Sequence, residues 1–187
     1  LYRVAEVYQT EKDYDWWADV AVAMHKEFDL LQIACDPAEP RSIEMLNDRL
    51  GHPGGRDTAR IATRADNDIM AGLDIVRWAL KPQKKGRPRM YFVKNALRYG
   101  RDMKLDEAAK ACCTEEEFPG FVWYKQADGR PLKEKPDPSC PDHGLDCVRY
   151  AAMFAWERNL DMDDGAKDFA PGSMGDLLKH NDVLQEY

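Results

Sequence analysis

The most informative part of this sequence is the stretch Pro141-Asp142-His143-Gly144-Leu145-Asp146-Cys147-Val148-Arg149-Tyr150. Proline is favoured in the first turn of a helix, where its missing N–H has no partner to lose, so the stretch predicts that a helix begins here. Apolar residues then recur at helical spacing and form one stripe. The stripe consists of Leu145, Val148, Ala152 and Ala155. We therefore predict a helix with one buried face.

Charged side chains lie beside that apolar stripe. Asp142, Asp146 and Arg149 fall at positions i, i+4 and i+7, so both carboxylates share one face of the first turns. Asp142 fits the ordinary role of a capping residue, because a helix N-terminus stabilises a nearby anion. Asp146 lies next to the buried stripe and needs a partner, and a divalent cation is one candidate. A capped amphipathic helix with incidental acids is the alternative.

A second acidic residue follows a predicted strand a hundred residues earlier. The run Leu30-Leu31-Gln32-Ile33-Ala34-Cys35 is almost continuously apolar, which is typical of a strand covered on both faces. Pro37 keeps Asp36 extended, so Asp36 should project from the end of that strand, where α/β sheets bind their ligands. A helix follows, with its apolar positions at Ile43, Leu46 and Leu50. A loop aspartate that caps this helix is the alternative.

Strands and helices alternate in the rest of the chain. We predict strands at 1–9, 90–93 and 121–124, helices at 17–28, 69–80 and 105–118, and a break in the last helix near 113–114. Asn67 is the predicted cap of the helix at 69–80. Glu6 lies inside the first strand and is interpreted as an edge-strand charge that faces water. Residues 52–64 are polar and rich in glycine and predict a loop, and Ala127-Asp128-Gly129-Arg130 predicts a hairpin-like turn.

The composition limits the class of protein. The chain has 187 residues, of which 44% are hydrophobic, which suits one domain with a core, with or without a tail. No apolar run approaches the ~20 residues that span a membrane, so we predict no membrane partner. Five cysteines, two of them adjacent, argue against a disulfide framework and favour reduced thiols in a cytoplasm.

The charge is distributed unevenly along the chain. The net charge is −7, yet the segment from Lys81 to Arg101, hereafter the basic segment, holds eight Lys or Arg and no acid. Cations on a flexible segment suit phosphates, because such contacts need charge more than fixed geometry. The predicted DNA contacts are Lys84, Lys85, Arg87 and Arg89, with Arg56, Arg60 and Arg64 as the other candidate surface. A solvated loop is the alternative, and residues 158–187 predict a separate acidic tail.

Two kinds of metal site fit these residues. Acids at a strand end and on a late helix suit two-metal phosphodiester chemistry, in which carboxylates converge on hard cations about 4 Å apart. Cys140, His143 and Cys147 offer a zinc alternative with three ligands, and Cys112 or Cys113 would have to supply the fourth. The sequence contains no G-x-x-x-x-G-K-[ST] or G-x-G-x-x-G motif, and therefore no visible ATP site.

Two of these stretches resemble motifs of a known family, the nuclease domain of tailed-phage terminase large subunits, which are DNA-packaging motors. Cys35-Asp36-Pro37-Ala38-Glu39-Pro40 is similar to its second acidic motif, and Asp142-His143-Gly144-Leu145-Asp146-Cys147-Val148-Arg149-Tyr150-Ala151 to its D-H-x-x-D-x-x-R-Y-A helix. Ile69-Met70-Ala71-Gly72-Leu73-Asp74-Ile75-Val76 and Phe121-Val122-Trp123-Tyr124 stand between them in the expected order. The resemblance covers residues 1–157.

The resemblance implies an α/β fold with an RNase H-like mixed sheet flanked by helices, whose first strand, with a catalytic aspartate, would precede Leu1. It implies a Mg²⁺- or Mn²⁺-dependent endonuclease that cuts concatemeric double-stranded DNA at a two-metal site. Asp36 and Asp146 would be catalytic metal ligands, Asp142 a ligand or an acid that contacts one, and His143 a neighbour of the metals.

The resemblance also implies partners. Besides double-stranded DNA these are, in a full protein, an ATPase domain, a small terminase subunit and a portal, in the host cytoplasm at the procapsid. The alternative function is a non-catalytic module that docks DNA or a portal ring, with the acids serving only as helix caps.

Overall fold

The computed structural model describes residues 1–51, 60–83 and 86–157. These residues form six α-helices, one 3₁₀ turn and six short strands in a mixed α/β arrangement. In chain order the elements are β1 (Tyr2–Arg3), α1 (Tyr14–Phe28), β2 (Ile33–Cys35), α2 (Pro40–Leu50), β3 (Ala62–Arg64), α3 (Ile69–Leu80), β4 (Tyr91–Phe92), α4 (Met103–Glu107), α5 (Thr114–Glu117), the 3₁₀ turn (Phe118–Gly120), β5 (Trp123–Lys125), β6 (Pro131–Pro136) and α6 (His143–Glu157).

The chain divides into two units. Unit A contains residues 1–10 and the described residues from 68 onward, and unit B contains Glu11–Asn67. Each unit holds a two-stranded parallel sheet, β1 with β4 in unit A and β2 with β3 in unit B. The prediction that strands and helices alternate is thereby confirmed at the level of a mixed α/β fold.

Unit B is built around the parallel pair β2 and β3, in which Ile33 lies opposite Ala62 and Cys35 opposite Arg64. The helix stripe predicted for α2 is confirmed, because Ile43, Leu46 and Leu50 are all buried. They share a hydrophobic cluster with Ala18 of α1 and Ala62 of β3.

Two predictions for unit B were wrong. Residues 62–64 were expected in a loop but form β3, because the buried Asn47 side chain holds the backbone of Ala62. Its amide Nδ2 donates to the Ala62 carbonyl at 2.8 Å, and its Oδ1 accepts from the Ala62 N–H at 3.0 Å. The apolar run before Asp36 is not covered throughout, since Leu31 is 91% exposed and the strand itself begins only at Ile33.

Unit A packs its two long helices, α3 and α6, against each other. Their apolar faces meet in a core that also takes in β4 and the 3₁₀ turn. The buried members of this core include Leu73, Val76, Ala79, Leu80, Phe92, Phe118, Leu145, Val148 and Ala152. The turn predicted at residues 127–130 joins β5 and β6, which pair antiparallel as a hairpin.

Several element bounds in unit A differ from the prediction. The expected strand 1–9 is reduced to β1 and an isolated parallel bridge between Glu6 and Leu97. The cap of α3 is Asp68, whose side chain accepts from the Ala71 N–H at 3.0 Å, and not Asn67. The helix predicted at 105–118 consists of the short helices α4 and α5. Among the described residues, no helix combines the length and apolar character needed to cross a membrane.

Candidate functional site

The candidate site in unit A is built on the first two turns of α6. Leu145, Val148 and Ala152 are buried as predicted and fix the rotation of the helix about its axis. Gly72 allows α3 to approach closely, because a Cβ atom there would overlap Arg149 Cγ and lie 2.6 Å from its Cδ. This close packing encloses Arg149, which is only 2% exposed.

Arg149 is the partner that the sequence predicted Asp146 to need. Its Nη2 and Nε lie 2.9 Å and 3.2 Å from the same carboxylate oxygen, Asp146 Oδ1. The side chain of Asp146 remains 39% exposed, whereas that of Arg149 is buried. A carboxylate held on one oxygen by a buried guanidinium has a restricted orientation.

Asp142 occupies the N-cap position of α6, since its carbonyl accepts the first helical hydrogen bond, from the Asp146 N–H at 2.7 Å. The prediction that its side chain caps the helix is wrong. The N–H groups of Gly144 and Leu145, which an N-cap side chain normally receives, donate instead to Glu117, at 3.0 Å and 2.8 Å.

The pKa of Asp142 reflects the surroundings of its carboxyl group. Burial, and secondly the neighbouring carboxylate of Asp146, raise the pKa of Asp142 above its usual value, although the His143 ring opposes the shift. Both causes disfavour the ionised form of Asp142. A bound cation would remove the repulsion between the two carboxylates and so favour ionised Asp142.

His143 points into solvent at the start of α6. Its side chain is 89% exposed, and its Nδ1 lies 3.9 Å from Asp142 Oδ1. This position places the imidazole beside the Asp142 carboxylate.

Asp36 lies in unit B, directly after β2, as predicted. Its Oδ1 accepts from the Ala38 N–H at 2.9 Å, a local turn that shapes the approach to α2. It lines a cavity of about 430 Å³ within unit B, together with Glu39 and the aromatic rings of Tyr14 and Trp17. The side chain of Asp36 is exposed, so it is accessible to a ligand.

Neither the zinc alternative nor the two-metal site gains a group of three ligands from the residues that the structure describes. Across the described ranges 1–51, 60–83 and 86–157, no three His, Cys, Asp or Glu side chains are placed to hold one metal ion together. The Cys140 thiol is instead held by the backbone. Its Sγ lies 3.1 Å from the carbonyl of Gly120 and 3.4 Å from the Val122 N–H.

The basic segment is only partly available for phosphate. Arg87 is exposed, but the guanidinium of Arg89 lies over the Trp78 ring, 4.0 Å from its centroid. Arg101 is paired with Asp106 and Glu116, at 2.8 Å and 2.6 Å. The predicted contacts Lys84 and Lys85 lie outside the described residues, as does Arg56 of the other candidate surface. In that surface Arg60 pairs with Glu44.

Comparison with known proteins gives no family model that matches the chain, and no curated protein or solved structure that matches it. The functional interpretation therefore depends on the residues and their geometry.

The most important residue that the sequence analysis missed is Glu117. It is completely buried, and besides the two α6 N–H groups it accepts the Tyr8 hydroxyl at 2.6 Å. In the sequence it ends the acidic run Glu115-Glu116-Glu117, which is typical of a solvated face. One local signal was present, because Glu117 directly precedes the apolar pair Phe118-Pro119.

Proposed function

We propose that this chain is a divalent-metal-dependent endonuclease acting on double-stranded DNA, with the RNase H-like architecture implied by its resemblance to terminase nuclease domains. The observation that carries the proposal is the pair Asp142 and Asp146 on one face of the start of α6. Asp146 is oriented by a buried arginine, and Asp142 is relieved of capping by Glu117. A part-exposed carboxylate oriented by a buried arginine, next to a second carboxylate that does not receive the N–H groups of Gly144 and Leu145, suits a cation better than a purely structural role.

In this proposal the residues that hold the cation are Asp142 and Asp146, whose oxygen donors suit Mg²⁺ or Mn²⁺. When bound, the metal supplies Lewis-acid stabilisation of the phosphodiester and an activated water. Arg149 keeps Asp146 aimed outward, and the exposed His143 is available to contact DNA or a water molecule. Asp36 enters the proposal through the resemblance and through its position at the end of β2.

The basic segment is proposed to contact DNA phosphates. Arg87 is exposed, and contacts of this kind add affinity without sequence preference. In the variant Lys84→Ala/Lys85→Ala/Arg87→Ala, the slope of log binding constant against log salt should fall by about one unit for each lost phosphate contact. An unchanged slope would mean that these three cations do not touch DNA.

Plasmid cleavage in Mn²⁺ tests the proposed activity. Asp142→Asn and Asp146→Asn should each lower the cleavage rate by roughly a thousand-fold, because a cation ligand supplies several kcal/mol of transition-state stabilisation. Asp36→Asn is the third variant of the series. The matched control is Asp137→Asn, which makes the same chemical change at an exposed turn where the carboxylate binds Ser139.

The result separates the nuclease from the docking module. Cleavage by the wild-type chain that is lost in Asp142→Asn and Asp146→Asn but kept in Asp137→Asn supports the nuclease. DNA binding without cleavage, and a melting temperature that Mn²⁺ does not raise, would indicate a docking module, because only a specific site couples metal binding to folding.

A further inference from the structure

We infer that Glu117 is a positioning residue for the proposed metal site, because it receives the N–H groups of Gly144 and Leu145 that the Asp142 side chain would otherwise cap, so that the Asp142 carboxylate need not turn back over its own helix. The inference rests on the proposed function. It adds a residue from another helix, Glu117 of α5, to the two carboxylates of α6.

The Glu117 carboxylate accepts three hydrogen bonds from described residues. Its Oε1 accepts from the Gly144 N–H at 3.0 Å and from the Tyr8 hydroxyl at 2.6 Å, and its Oε2 accepts from the Leu145 N–H at 2.8 Å. Counted from the N-cap Asp142, Gly144 and Leu145 are the second and third helical residues. These are the two positions whose N–H groups an N-cap side chain receives, so Glu117 satisfies the start of the helix from outside.

Capping of α6 by Glu117 in place of Asp142 affects metal binding. An aspartate that caps its own helix turns its carboxylate back over the first turn and commits an oxygen to backbone N–H groups. Those hydrogen bonds compete with a cation for the same oxygen lone pairs. Because Glu117 receives both N–H groups, the Asp142 carboxylate keeps oxygen lone pairs with which it would hold a cation.

Glu117 packs closely against the start of α6. A Cβ atom at Gly144 would overlap the Thr114 hydroxyl and lie 3.0 Å from Glu117 Oε2, so glycine is the residue that lets the carboxylate reach the helix. Glu117 is 0% exposed, and Tyr8, which fixes its Oε1, is 9% exposed. An enclosed carboxyl group needs its hydrogen bonds to be complete, and the three formed with described residues go to the start of α6 and to Tyr8.

Coupling between residues 117 and 142 distinguishes this role from a merely structural cap. In Glu117→Gln the side chain keeps its shape but offers one acceptor oxygen, and its NH₂ group cannot accept the second N–H. That N–H is then available to Asp142, whose carboxylate would turn to cap its own helix. Mn²⁺ affinity, measured by calorimetric titration of the whole chain, should fall about ten-fold, as for other residues that orient metal ligands.

In the Asp142→Asn background, the same Glu117→Gln change should alter Mn²⁺ affinity by less than about two-fold, because the carboxylate on which Glu117 acts is gone. Val76→Ala is the matched control for general destabilisation. Val76 is buried in the α3–α6 core at 1% exposure, so its truncation should lower the melting temperature and leave Mn²⁺ affinity unchanged.

Tyr8→Phe keeps the inference testable if Glu117→Gln does not fold. It removes one of the three hydrogen bonds to the Glu117 carboxylate and keeps the carboxylate itself. Mn²⁺ affinity should fall about two- to three-fold, which corresponds to the low end of the free energy of one hydrogen bond. The loss is expected only when Asp142 is present. Equal losses with and without the Asp142 carboxylate, or no loss in either variant, would overturn the inference and leave the nuclease proposal standing. A wild-type chain that binds no Mn²⁺ would overturn both.

Discussion

Both units have local helix caps, and unit A adds carboxylates that bind backbone N–H groups far away along the chain. In unit B, Asp13 caps α1 through the N–H of Trp16, three residues ahead, and Asp36 binds the N–H of Ala38, two residues ahead. In unit A, Asp68 and Asp102 cap α3 and α4 just as locally, but the carboxylates of Glu6, Glu117 and Asp102 also reach partners 108, 28 and 92 residues away. A local cap fixes where a helix begins, whereas a remote cap also fixes where the helix lies.

The remote caps of unit A form a chain that ends at the candidate site. Glu6 accepts from the N–H of Thr114 at 2.9 Å and so caps α5. The last residue of α5, Glu117, then caps α6. The start of α6, with Asp142 and Asp146, is thereby tied to the rest of unit A through backbone N–H groups. We expect losses at these carboxylates to cost more stability than losses at the local caps of unit B.

The largest difference is expected between Glu117→Ala and Asp13→Ala. Truncation of Glu117 leaves the N–H groups of Gly144 and Leu145 and the Tyr8 hydroxyl without their buried acceptor, so the free energy of unfolding should fall by about 3 kcal/mol or more. Asp13 is exposed and supports one N–H, so its loss should cost about 1 kcal/mol. Urea unfolding of the two variants measures the difference, and equal losses would contradict the distinction between remote and local caps.

A second comparison uses two glycines close to the α5–α6 contact. Gly144→Ala forces a Cβ atom against Thr114 and Glu117 Oε2, and overpacking of this kind should lower the free energy of unfolding by about 2 kcal/mol. Gly120→Ala meets nothing closer than Pro141 Cδ at 3.9 Å, and should change stability by less than about 0.5 kcal/mol. Thermal melts of both variants test this, and a harmless Gly144→Ala would mean that Glu117 does not need its close approach.

A smaller loss is expected from Glu6→Ala. The prediction that Glu6 faces water is wrong, because its side chain is 9% exposed and pairs with Arg3 besides capping α5. Loss of a charge-assisted cap should lower the free energy of unfolding by about 1.5 kcal/mol, a moderate value because Arg3 keeps its second partner, Glu115. Asp36→Ala, at an exposed local turn, should cost about 0.5 kcal/mol or less. A larger loss at Asp36 in urea unfolding would reverse the comparison.

The sequence predicted well whatever depends on neighbours within one turn or one hairpin. The helices α1, α2, α3 and α6 follow from their apolar stripes, and the β5–β6 hairpin from the turn at residues 127–130. The position of Asp36 after a strand followed in the same way, from Pro37 and the apolar run before it.

What depends on distant partners could not be predicted. The backbone of strand β3 is held by the side chain of Asn47, fifteen residues before Ala62. The sequence of residues 62–64 does not predict that contact. Likewise, Asp142 has the sequence context of a cap, and only the fold brings Glu117 to take its place. The part of the candidate site that was predicted is therefore the identity of its carboxylates, and the part that was missed is what orients them.

Asp102 offers the last comparison, through pH. Its carboxylate accepts from the N–H and hydroxyl of Thr10 at 2.7 Å and 2.9 Å and from the first turn of α4, at Lys104 and Leu105. These bonds, that of the Thr10 N–H first, lower its pKa to about 2 although burial opposes them. A folded-state pKa below the unfolded value of about 3.9 means that protons favour the unfolded chain.

The stabilisation by Asp102 is therefore complete above about pH 4 and is lost as the pH falls toward 2. The melting temperature of the wild type minus that of Asp102→Asn should be largest near pH 6 and shrink steadily from about pH 4 to pH 2. Asp137, whose pKa is lowered by the Ser139 hydroxyl and N–H two residues ahead, should show the same sign with a smaller amplitude, since its partners are local. Melts of both Asn variants between pH 2 and pH 7 decide the point. A difference for Asp102 that does not change with pH would mean that its four hydrogen bonds do not discriminate between the ionised and the protonated carboxyl, and that they act by shape and not by charge.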